Sequence, residues 1–444
     1  MSKRSRAEIM DDDDNNKLWH LSNRFCLEWS GKTDALGARN VLAAFYLLAR
    51  CAQNSLDIFP NNERWFDFVG RFLALYVRDQ NSDTEEEVRL TPCVESLVET
   101  AIRDVTVRTL TTEAGPEKWA EMINRDCKTG TQGKIENIVE PSDLDDPKME
   151  LVVMAAEFIK GDWVTPFRGT TITGTPFYGT GEGAPVGKCN MMHHSESSNA
   201  FLWEGQYCDV ALLPTGKEDD HTEDNGIYGL VVLPKGEKGK PTDPKMMALA
   251  AKEVAENLGG IKGAIRWVEL PAGNGRKEKR RGHDSVVVQL PRIKHKMEPF
   301  DLTGVCGKLL PRPLMGDING VTMVNKTGQG WINSPLEVNK VLHATYLQVH
   351  ETGFEAAAAT AVIVYRSIGV DEVEEPEYKL VRCDRGFLFY LADLGPQPHV
   401  LYYSRVTDAK GLEKAPMAPN PEGALEEEAW DDLPEYTQSL YRGQ

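Results

Sequence analysis

The side chains that commonly break bonds are scattered along this sequence without assembling. No Gly-x-Ser-x-Gly turn is present to raise a serine nucleophile. His193 and His194 stand side by side in NMMHH, a strand-like stretch whose neighbouring side chains point to opposite faces, so packing or surface roles are expected rather than shared metal binding. The eight cysteines, at 26, 51, 93, 127, 189, 208, 306 and 383, include no Cys-x-x-Cys pair. That argues against a zinc cluster or a compact disulfide framework and leaves reduced thiols as the expectation. GTGEGAP at 179–185 has glycines without the preceding strand and following helix that a phosphate cradle needs. No catalytic residue, cofactor or metal is expected. One bond does stand out, for what could cut it rather than for what it could cut. Between Ala356 and Tyr378 the only basic residue is Arg366. A trypsin-like protease, whose specificity pocket holds a carboxylate, therefore has one bond to cut, Arg366–Ser367. Cleavage after Tyr365 by a chymotrypsin-like enzyme, or after Ser367 by an elastase-like one, is the alternative. The plainer reading of Arg366 is a solubilising charge. The acidic SIGVDEVEEPEYK that follows would favour a protease with a basic rim.

Positioning that bond falls to GFEAAAATAVIVYRS, residues 353–367. Extended, it puts Phe354, Ala356, Ala358, Thr360, Val362 and Val364 on one face and Glu355, Ala357, Ala359, Ala361 and Ile363 on the other. Alanine favours a helix and Val-Ile-Val a strand, so local propensity is in conflict and the segment can occupy two states. An ordinary alanine-rich helix is the plainer reading. Small side chains nevertheless cost little in an exposed loop, and they slip between two existing strands without needing a cavity. About ten inserted residues, gaining ladder hydrogen bonds worth roughly 0.5–1.5 kcal/mol each, would release around ten kcal/mol. That is comparable with the whole stability of a domain.

The 444 residues, 41% hydrophobic, can bury a large core as one big domain or two ordinary ones. Fifty basic against 68 acidic side chains give a net charge of −18, which disfavours a general grip on nucleic acid. MSKRSRAEIMDDDDNN carries no apolar leader, and the most apolar helical stretch, between Arg39 and Arg50, is too short to span a membrane. A cytoplasmic or nucleocytoplasmic protein without signal peptide or membrane partner is expected. The sequon at Asn325 would matter only after secretion. Residues 1–16 and 409–444 are polar and acidic enough to stay disordered, which leaves 17–408 to fold. NVLAAFYLLARCA (40–52) suits a buried helix, and Trp65, Val69, Phe72, Leu73 and Tyr76 recur at helical spacing. From about residue 200, YCDVALLP, IYGLVVLP, DSVVVQLPRIKHKM and FLFYLADLGPQPHVLYYSRV read as strands. The fold class is α+β with large antiparallel sheets. RKEKRRGH (276–283) is expected to be a solvated loop, with weak polyanion binding or a localisation signal as the alternative, as for KRSR near the start.

In this order the segments resemble the serpin family. Glu351, Gly353, Glu355 and the run Ala356, Ala357, Ala358, Ala359 followed by Thr360 resemble the hinge of a serpin reactive-centre loop. His343, ten residues before Gly353, falls where the family has its shutter histidine. INRDCKTGTQGKI (123–135) resembles the end of the family's helix F, and EFIKGDWVTPF (157–167) the strand with the breach tryptophan, here Trp163. NMMHH, VVLPKG, LPRIK, DINGV and the closing FLFYLADL and LYYSRV complete a set spanning about residues 17–408. The resemblance implies three β-sheets surrounded by eight or nine helices, with an exposed loop over about 353–377. A target serine protease cuts that loop, and the loop then inserts into the central sheet and carries the covalently linked protease away. The protein is consumed as a monomer and needs no catalytic residues of its own. Counted from Gly353, the commonest family spacing places the cut after Ser367.

Several positions depart from the pattern. Phe354 replaces the usual Thr or Ser of the hinge; its ring either slows insertion, or packs well once inserted and only biases the loop outward beforehand. Asn40 aligns with the family's second shutter serine and Ala155 with its shutter asparagine, so Asn40 is expected to supply the amide that keeps His343 hydrogen-bonded. Gly386 replaces a proline, and Cys383 an aromatic residue. A non-inhibitory member acting as a binding or chaperone-like protein is the rival reading. Phe354 and the altered shutter support it, and the intact small-residue run opposes it.

Overall fold

The computed structural model describes residues 16–29, 35–51, 71–79, 86–97, 105–181, 183–194, 200–216, 226–265, 267–271, 277–281, 286–304, 321–325, 331–332, 336–354 and 379–413. Arg366, Ser367, Tyr365 and the hinge residues Glu355 to Thr360 therefore lie outside the described residues, as do 1–15 and 414–444. The chain gathers into two compact units. The first comprises Met1–Ile159, Lys296–Tyr346 and His399–Tyr402, the second Lys160–His295, Leu347–Pro398 and Tyr403–Gln444.

In the first unit, strands Val105–Leu110, Arg71–Arg78, Leu151–Phe158 and the first part of Val338–His350 lie side by side in that order. The expectation of antiparallel sheets is corrected here. Arg71–Arg78 runs parallel to Val105–Leu110 and antiparallel to Leu151–Phe158, while Leu151–Phe158 and Val338–Tyr346 are parallel. All eight residues of Leu151–Phe158 are buried, as a strand with covered faces requires. The helix expected through Phe72, Leu73 and Tyr76 is also corrected: Arg71–Arg78 is a strand. Its run Phe72–Val77 is buried on both faces, so it shows none of the alternation that marks a half-exposed strand, and a short apolar run fits either period. Helix Gly115–Gly130, started by Pro116, buries Trp119, Ala120, Ile123 and Cys127 on one side. These join one core with Phe72, Tyr76, Val152, Met154, Ala344 and Tyr346. The Tyr76 hydroxyl donates to Asp126 at 3.0 Å.

In the second unit, Phe387–Asp393, Ile227–Pro234, Cys208–Pro214 and Phe201–Glu204 are consecutive antiparallel neighbours. A four-stranded sheet runs Lys379–Arg382, Val286–Pro291, Gly187–His194, Arg168–Phe177. Helix Pro244–Glu256 is capped by Asp243, whose carboxylate accepts the Lys245 N–H at 2.8 Å. Among the described residues there are six α-helices, against the eight or nine expected. None of them is long and apolar enough to cross a membrane. Lys277–Arg281 is a strand paired with Trp267–Pro271 rather than a loop. The two runs pair antiparallel in register from Trp267 with Arg281 to Pro271 with Lys277. The folded chain also continues past 408: Ala409 and Leu412 are 8% and 3% exposed, and Leu412 bridges to Ile293. Two apolar side chains within an otherwise polar stretch suffice to dock it. Cys26, Cys127, Cys189, Cys208 and Cys383 are buried free thiols, and burial pushes those of Cys127 and Cys189 up to about 12.

Candidate functional site

Val338–His350 turns at Glu351–Thr352 and returns as Gly353–Phe354, which is therefore not part of an exposed loop. Gly353–Phe354 pairs antiparallel with Val349–His350 on one side and with Gly161–Asp162 on the other. The backbones approach so closely that a Cβ on Gly353 would lie 2.1 Å from the Gly161 carbonyl oxygen, so only glycine fits. Phe354 is 3% exposed. Its ring covers Gly161, where a Cβ would come within 2.5 Å of Cζ, and meets Trp163 edge-on at 5.5 Å between centroids. Trp163 is fixed in turn: its backbone N–H donates to the Thr352 carbonyl and its Nε1–H to the His350 carbonyl, both at 3.0 Å. The aromatic chain continues to Phe167 at 6.1 Å and on to His194 at 4.7 Å. His194 Nε2 donates to the Thr165 carbonyl at 2.8 Å, and burial lowers its pKa to about 4, so the ring is neutral. The ring already packs between these strands rather than biasing the segment outward.

Charge holds the turn beneath. Arg292 Nη2 lies 2.7 Å from Glu351 Oε1, and Arg292 Nε donates to both Glu351 oxygens at 2.9 and 3.1 Å. Thr171 Oγ1 also donates to Glu351. The same guanidinium reaches Glu413 through Nη1 at 3.4 Å, and the Glu413 N–H donates to the Arg292 carbonyl. Arg292 and Glu351 side chains are 16% and 18% exposed, a partly desolvated fork that is stronger than a surface pair.

In the first unit, His343 is fully buried on Val338–His350, with Ala155 as its neighbour in the parallel ladder. The Gly37 N–H donates to His343 Nε2 at 3.1 Å, and the Phe300 ring meets the imidazole edge-on at 5.5 Å. Burial lowers the pKa of His343 to about 4 against the opposing pull of the Ala155 carbonyl, so this ring is neutral too. Gly37 immediately precedes helix Ala38–Cys51 and accepts the Val41 N–H. A Cβ there would lie 2.5 Å from Glu157 Oε2. The side chain of Asn40 lies outside the described residues.

Sequence reasoning missed Gly37, Arg292 and Glu413. A glycine just before a helix start was the available signal for the first. Arg292 stood unassigned inside LPRIK, and Glu413 lies beyond the stretch that carries the resemblance.

A family model described as Serpin (serine protease inhibitor) matches residues 93–408. Ovalbumin of Dromaius novaehollandiae is 24% identical over 314 residues, 70% of this chain and 68% of that protein. Serpin B11 of Mus musculus is 26% identical over 288 residues, 65% of this chain and 63% of that protein. Leukocyte elastase inhibitor of Sus scrofa is 24% identical over 291 residues, 66% of each. The chain thus spans about two thirds of the length of these relatives. Among solved structures, human thyroxine-binding globulin with thyroxine matches with a TM-score of 0.60 at 17% identity, over 91% of this chain and 99% of that one. Serpin48 of Tenebrio molitor matches with a TM-score of 0.59 at 15% identity over the same shares. At these identities the structural likeness is one of fold.

Proposed function

This chain belongs to the serpin family, and on that footing we propose that it is a suicide-substrate inhibitor of a trypsin-like serine protease. The protease cuts Arg366–Ser367, and the residues beyond Phe354 then enter the sheet between Leu151–Phe158 and Val338–His350, trapping the enzyme covalently. The observation that carries this reading is Gly353–Phe354 already paired on both sides. Continuing both registers residue by residue brings Thr360 opposite His343 on one side and Ala155 on the other. Those two residues already face each other in the parallel ladder, so the two registers agree. Thr360 would deliver a hydroxyl to a site where Ala155 has none. Ala356 to Ala359 fill the intervening places without demanding space. One parallel ladder gives way to two antiparallel ones, so the inserted state gains hydrogen bonds rather than exchanging them.

In this reading the residues 17–413 form one serpin domain, the protein acts as a monomer in the cytoplasm or nucleocytoplasm, and no residue of its own performs catalysis. The buried free thiols support a reducing compartment. Weak polyanion binding through 276–283 is a subsidiary part of the proposal. Mixing the full chain with trypsin, then boiling in SDS, tests the main claim. A band near the summed mass is expected, and Arg366→Glu should remove it. Complete cleavage at Arg366 without any such band would instead support a non-inhibitory binding protein.

A further inference from the structure

The second unit also holds a buried polar cluster that the hinge does not use. Arg382 ends strand Lys379–Arg382, and Asp384 and Arg385 follow it before Phe387–Asp393 begins. The Asp384 carboxylate, 3% exposed, lies 3.2 Å from Arg382 Nε and 3.7 Å from Arg385 Nη1. The first contact is misaligned and the second too long for a hydrogen bond. Gln289 is fully buried and is the register partner of Arg382, so both project from one face of the sheet. Neither atom of its amide has a partner. Lys238, on the turn after Ile227–Pro234, exposes its side chain to solvent. Arg385 Nη2 donates to the Pro234 carbonyl at 3.2 Å, which sets that arginine against the turn carrying Lys238; the Lys238 pKa is lowered by burial and by repulsion from Arg382, with Asp384 opposing.

Two imbalances follow. Lys238, Arg382 and Arg385 are three cations around one carboxylate, an island of positive charge on a chain of net charge −18. Arg382 Nε and Nη1, Arg385 Nε and Gln289 Nε2 are four donor atoms without partners, against two acceptors, Gln289 Oε1 and Asp384 Oδ1. Leaving such groups unpaired is costly, and folded proteins seldom tolerate it. Water can pair these atoms but brings no charge, so it leaves the first imbalance in place. A small oxyanion brings negative charge and a large excess of acceptors, and so meets both. We propose that Lys238, Arg382, Arg385 and the Gln289 amide form a binding site for a small oxyanion of the phosphate or sulfate class, entered past Lys238. The site is independent of the inhibitor reading.

The test is thermal unfolding of the full chain, titrated with sodium phosphate against sodium chloride at constant ionic strength. Binding to the folded state should raise Tm along a saturating curve. Arg382→Gln should abolish the saturable rise, and Lys238→Gln, which removes only an exposed ammonium, should weaken apparent affinity about tenfold. Lys410→Gln, at a side chain 91% exposed, should leave the curve unchanged. Should Arg382→Gln fail to fold, Lys238→Gln decides alone. No rise, a rise that never saturates, or an undiminished response in Lys238→Gln would overturn the site.

Discussion

Two regions along the strand Val338–His350 differ in how they are held. Around His343 the strand pairs directly with Leu151–Phe158, and a neutral, fully buried imidazole is met by one backbone donor from Gly37 and the edge of Phe300. Around His350 the same strand pairs with Gly353–Phe354 instead, and the turn between them is held by the Arg292, Glu351 and Glu413 charges at 16–29% exposure. The first region is buried, and parting its strands breaks a ladder of buried pairs. In the second, Gly353–Phe354 stands between Val349–His350 and Gly161–Asp162, the end from which the proposed insertion would open the ladder. Apolar packing secures these two residues, and partly exposed charge secures the turn behind them.

The largest effect expected from disturbing this contrast is at Trp163. Trp163→Ala removes the ring against Phe354 and the Nε1–H donated to His350, and should cost about 3–5 kcal/mol in urea unfolding, with faster hydrogen exchange at Phe354. A loss below about 1 kcal/mol would mean that the Phe354 ring is held by something else. Acid addresses the buried histidines next. His343, His194 and His295, the last a buried ring on Ile293–Lys296 that meets Ser404 Oγ at 2.8 Å, each have a folded pKa lowered by burial to about 4 from an ordinary 6.5. The unfolded chain therefore binds more protons than the folded one between those values, and stability should be level above pH 6.5 and fall as the pH drops towards 4. His343→Gln should reduce the proton uptake on unfolding near pH 5 by about one, which calorimetry in buffers of different ionisation enthalpy can count. The smallest effect is at the ionic turn. Glu413→Gln removes one monodentate contact at 29% exposure and should cost about 0.5–1 kcal/mol. Hydrogen exchange should rise at Glu351–Phe354 and stay constant at His343.

The elements that hold these regions were legible to different degrees, for physical reasons. Strands such as Ile227–Pro234 and Phe387–Asp393 announce themselves by unbroken apolar runs bounded by turn residues. Arg71–Arg78 did not, because a strand covered on both faces loses the period-two signal that would separate it from a helix. Trp163, His343 and Gly353 were marked by residue type within recognisable stretches. Gly37 and Arg292 act through contacts 306 and 59 positions away in the chain, which no local pattern encodes. Glu413 fell in a stretch whose composition reads as a tail, yet two apolar neighbours were enough to dock it.

The central claim is that the chain is stored short of its most stable arrangement, with Phe354 marking how far insertion has gone. Cutting once within 355–378, with the position checked by mass spectrometry, and recording Tm before and after addresses it directly. Completing two antiparallel ladders should raise Tm by at least about 10 °C. A nicked chain that melts at or below the temperature of the intact one would contradict the account.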